Sequence, residues 1–63
     1  MTIIRMLMEC FYGGYDAISQ DTMKRKYPED LIHKALDCGY MTTHISNNGI
    51  PQFVITRKGK ELI

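Results

Sequence analysis

The chain has 63 residues, 44% of them hydrophobic, with eight basic and seven acidic side chains for a formal net charge of +1. That length allows one domain, read over residues 1–63, and the apolar content argues against disorder. Near-neutral charge gives no strong pull toward nucleic acid, so the placement of the charges matters more than their sum.

Cys10 and Cys38 form no Cys-x-x-Cys pair, and with His33 and His44 they fit no zinc-ligand spacing. They are read as reduced, free thiols in a cytoplasmic protein without metal or cofactor. The apolar N-terminal stretch Met1–Phe11 is broken by Arg5 and Glu9 and is too short to span a membrane.

Thr2 is a candidate cap for a first helix, with Ile4, Leu7, Met8 and Phe11 on one face and Gly13-Gly14 as the stop. Arg5 and Glu9 are placed to pair on the solvent side. Ile3, Met6 and Cys10 form a second apolar stripe beside the first. It reads either as a wide stripe on a centrally placed helix or as a self-association surface in a homodimer.

Tyr15–Ile18 reads as an extended link. Ser19 then caps a short helix, Gln20–Lys26, with Met23 turned inward. Tyr27-Pro28 breaks that helix and opens a third, whose first turn carries Glu29 and Asp30 and whose buried side is Leu31, Ile32, Ala35 and Leu36. Two short helices with a tight turn suggest a helix-turn-helix. Tyr40–Ile45 and Ile50–Thr56 read as strands around Ser46-Asn47-Asn48-Gly49, a hairpin signal. Arg57–Ile63 is expected to make a last helical turn that returns Leu62 and Ile63 to the core. The expected core is Ile4, Leu7, Met8, Phe11, Ile18, Met23, Ile32, Leu36, Met41, Phe53 and Ile55.

The segment Leu36-Asp37-Cys38-Gly39-Tyr40-Met41, the hairpin, and Phe53-Val54-Ile55-Thr56-Arg57-Lys58-Gly59 together resemble the winged-helix pattern, over nearly all of Thr2–Leu62. The likeness is to small single-domain winged-helix proteins of bacteria and their phages. It implies an α+β winged helix-turn-helix, three helices followed by a β-hairpin wing. It also implies a regulatory role through double-stranded DNA, or through a protein partner such as a host protein disabled by a phage product. On the DNA reading, Lys24, Arg25, Lys26, Arg57, Lys58 and Lys60 supply phosphate contacts, His33 and Lys34 approach the bases, and Asn47 and Asn48 sit at the wing tip. This third helix departs from the family's DNA binders in carrying Glu29, Asp30 and Asp37. The tyrosines Tyr12, Tyr15, Tyr27 and Tyr40 would suit the protein-partner reading. No nucleophile motif or phosphate loop supports an enzyme.

Overall fold

The computed structural model describes all of Met1–Ile63. Helix α1 spans Ile3–Cys10, and the Thr2 side chain accepts from the Arg5 N–H at its start. A 3₁₀ turn over Tyr12–Gly14 ends it, where Gly13 and Gly14 take φ of 72° and 88°, the left-handed region that costs glycine least. Strand β1 (Ala17–Ser19), α2 (Gln20–Lys26), α3 (Glu29–Asp37), β2 (Met41–Ile45), β3 (Pro51–Ile55) and α4 (Arg57–Leu62) follow.

The result is an α+β fold of four α-helices and a three-stranded antiparallel sheet in the order β1-β3-β2. The fourth helix and the first strand both enlarge the expected plan of three helices and a hairpin. The expected extended link is a strand because it finds a partner: Ala17, Ile18 and Ser19 pair with Val54, Phe53 and Gln52. Ser19 holds the cap position of α2, yet its side chain makes no capping bond.

Helix α3 ends in a Schellman arrangement. The Gly39 N–H donates to the Leu36 carbonyl and the Tyr40 N–H to the Ala35 carbonyl, both at 3.0 Å, with Gly39 at φ 77°. The chain is thereby aimed directly into β2. At the hairpin the Gly49 N–H donates to the Ser46 carbonyl at 2.8 Å, so Asn47 and Asn48 are the central pair of the turn. Gly49 alone has positive φ there, which fits a type I turn followed by a left-handed glycine.

The core is Met6, Leu7, Phe11, Met23, Ile32, Ala35, Met41, Phe53 and Ile55. Ile18, Leu36 and Leu62 pack against it half-buried, whereas Ile63 is exposed. The rotation of α1 corrects the sequence reading. Ile4 and Met8 point outward, 43% and 52% exposed, while Met6 is fully buried and Ile3 and Cys10 pack on the core. Ile3, Met6 and Cys10 are therefore core-facing and offer no self-association surface. With about 100° per residue, the side opposite Arg5 and Glu9 is Leu7, but Met6 and Met8 lie equally far to either side of it, so packing against the rest of the fold decides that Met6 faces inward.

Candidate nucleic-acid interface

The turn between α2 and α3 is set by Tyr27-Pro28, and the start of α2 is tied to the sheet by the Gln20 side-chain amide, which donates to the Gln52 carbonyl at 3.3 Å. These constraints open a groove of about 240 Å³ between the two helices and the hairpin. Its polar walls are Gln20 and Lys24 from α2, Glu29 and His33 from α3, and Thr43 from β2; Ile32, Leu36 and Phe53 form the floor. His33 Nε2 lies 3.6 Å from a Glu29 carboxylate oxygen one turn earlier, both side chains well exposed. Of the residues expected to touch DNA, Lys24 and His33 thus meet at one groove.

The remaining candidates do not converge on it. Lys24 also lies beside Ile50 and Pro51, at the start of β3, whereas Arg57, Lys58 and Lys60 follow the end of β3. A five-residue strand separates the two clusters by roughly 16 Å. Most of these cations already have partners. Arg25 pairs with Asp21 at 3.0 Å, Arg57 with Glu61 at 3.7 Å and Lys60 with Asp16 at 3.2 Å. Lys58 Nζ sits 5.4 Å from the Tyr40 ring centroid. Lys24, Lys26 and Lys34 make no ion pair within the chain, and Asn47 and Asn48 are exposed at the hairpin tip.

The exposed side of α3 carries mixed charge. Asp30 and Asp37 lie farthest from the buried Ile32 and Ala35 by helical spacing, with His33 on the groove side and Lys34 on the other. Neither aspartate has an ion-pair partner in the molecule, so α3 presents a negative centre line.

A second polar cluster joins α1 to the α2–α3 turn. The Tyr27 hydroxyl donates to Glu9 at 2.8 Å, and Arg5 Nε donates to the other Glu9 oxygen at 3.2 Å. These two bonds, the tyrosine's first, hold the Glu9 carboxyl below its usual range. Burial, then the bond to Glu9, pushes the Tyr27 hydroxyl up. Burial likewise raises the Cys10 thiol, which is half-buried, while Cys38 is exposed; both are free. These two cysteines do not gather with His33 and His44 into a ligand set, and no helix is long and apolar enough to cross a membrane.

Sequence reasoning missed two features. Gln20 and Thr43 reach the groove only through the packing of three elements, for which no local pattern exists. The exposed apolar residues Met1, Ile4, Met8 and Tyr12 were not legible from spacing, because Met6 holds the equivalent place on the other flank of α1 and is buried. No protein-family model, curated protein or solved structure matches this chain.

Proposed function

We propose that the chain is a winged-helix domain that binds double-stranded DNA, with α3 as the helix that enters the major groove and the β2–β3 hairpin as the wing. The observation that carries this reading is the groove at which α2, α3 and the hairpin meet, with the unpaired Lys24 beside His33. The element order, the glycine-ended α3 feeding β2 and the antiparallel hairpin support the same assignment. Lys24, Lys26 and Lys34 are the cations free to neutralise phosphate, and His33 the side chain best placed to approach a base edge. The domain would act as a small regulatory factor.

One observation favours a second reading, a protein partner. Asp30 and Asp37 occupy the outermost line of α3 and would face phosphates. Fluorescence anisotropy with random duplex DNA at low and moderate salt separates the two. On the DNA reading, affinity falls with salt at a slope of about −2.7 if three lysines each displace one counterion. Lys24→Ala then lowers that slope by ~1, and Asp30→Asn with Asp37→Asn tightens binding. Absence of binding even at low salt would overturn the DNA reading in favour of a protein partner.

A further inference from the structure

We infer that the exposed face of α1 pairs with the same face of a second copy of this chain, antiparallel about a two-fold axis. This inference is independent of DNA binding. Met1, Ile4, Met8 and Tyr12 are 65%, 43%, 52% and 79% exposed. Ile4 and Met8, four residues apart on the helix, share one face, with Met1 before the helix and Tyr12 after it. The only charged side chains on α1 are Arg5 and Glu9, along one flank of that face. Arg5, Met8, Glu9 and Tyr12 together line a shallow notch.

Within the notch Arg5 Nε already donates to Glu9 Oε2 at 3.2 Å, and Glu9 Oε1 accepts from the Tyr27 hydroxyl, so each copy brings a formed Arg5–Glu9 pair beside Met8 and Tyr12. A two-fold axis perpendicular to α1 at the level of Leu7 keeps the charged flank on the same side in both copies and reverses its direction. Arg5 and Glu9 are about 6 Å apart along the axis at 1.5 Å per residue. The operation therefore sets each Arg5 opposite the mate's Glu9, so that the two intrachain pairs face each other with unlike charges opposed. The same operation places Met8 between Ile4 and Met8 of the mate. Apolar face and charged flank are thus both self-complementary, as an isologous contact requires.

A single pair of short helices buries less than the roughly 800 Å² per partner of a standard interface. The association is accordingly weak and concentration-dependent.

Sedimentation equilibrium of the full chain, up to the millimolar range, is expected to show monomer and dimer in exchange. Met8→Glu places carboxylates against each other near the axis and should weaken association at least about tenfold. Its melting curve in dilute solution should stay in place, because Met8 is outside the core. Ile4→Lys is the second variant should Met8→Glu fold poorly. The charged flank is tested separately. Arg5→Glu and Glu9→Arg should each self-associate less, while an equimolar mixture of the two associates, since each then meets its opposite charge. A wild type that stays monomeric at every concentration overturns the inference and leaves the face to a foreign partner. A dimer indifferent to Met8→Glu and Ile4→Lys overturns it as well, as does a mixture that fails to associate.

Discussion

Thr56 and Gly59 show how much a pair of small residues can fix. The Thr56 hydroxyl donates to the Gly39 carbonyl at 2.5 Å and accepts from the Gly59 N–H at 3.1 Å, capping α4 while gripping the end of α3. Gly59 is buried, and a Cβ there would lie 2.0 Å from the Tyr40 carbonyl oxygen. Backbone cannot step aside as a side-chain tip can. Gly59→Ala should therefore cost at least about 1–3 kcal/mol, and Thr56→Ala about 0.5–2 kcal/mol; chemical denaturation measures both. A Gly59→Ala protein as stable as the wild type would mean that α4 does not dock on Tyr40. Glu9 and Tyr27 carry a pH dependence. The Glu9 pKa is lowered from 4.5, so its contribution is present above that pH and is lost as pH falls through the lower folded value. The Tyr27 pKa is raised from 10.0, so its contribution holds at neutral pH and is lost as pH rises beyond that value. Glu9→Gln and Tyr27→Phe are each expected to flatten the acid limb of a melting-temperature profile. The double variant should flatten it no further than Glu9→Gln alone, whereas Tyr27→Phe by itself leaves the part that Arg5 contributes.

At the scale of the element, α1 divides what sequence reveals from what packing decides. That residues near Ile3–Cys10 form a helix is legible in the Thr2 cap, the apolar spacing and the glycine pair. Which side faces inward is not settled by apolar spacing alone, because the helix is apolar around most of its circumference. The narrow polar flank of Arg5 and Glu9 points Leu7 inward but leaves Met6 and Met8 equivalent, and tertiary packing decides between them. Met6→Ala should cost about 2–5 kcal/mol as a core truncation, and Met8→Ala less than about 1 kcal/mol in dilute solution. Equal costs in urea denaturation would show that the two residues share one environment. Elsewhere the local signals were strong: Met23, Ile32, Met41, Phe53 and Ile55 are core residues where periodicity placed them. The strand over Ala17–Ser19 left little trace in sequence, since three residues carry almost no periodicity and their pairing lies 33–37 positions away by the register Ser19↔Gln52 to Ala17↔Val54. The groove was legible only in part for the same reason. Lys24 and His33 stood out as a basic and a titratable side chain, while Gln20 and Thr43 acquire meaning only when three elements meet.

For the molecule as a whole, balanced charge is spent largely within the surface. Arg5, Arg25, Arg57 and Lys60 each hold an acidic partner, which leaves Lys24, Lys26 and Lys34 free and Lys58 over the Tyr40 ring. Exposed pairs of this kind add little stability, so their main effect is to trim the outward field. The sheet order has a further consequence, for how the chain is made. In β1-β3-β2 the middle strand is the last to leave the ribosome. Until Pro51–Ile55 emerges, β1 and β2 have no neighbour and Phe53 and Ile55 are missing from the core. The nascent chain can then hold no more than fluctuating helices, which are marginal in isolation at these lengths. A chain ending at Asn48 is expected to show no cooperative thermal transition and no dispersed amide spectrum. Addition of the remaining residues should restore both in one step, so that the protein folds only once β3 and α4 are present.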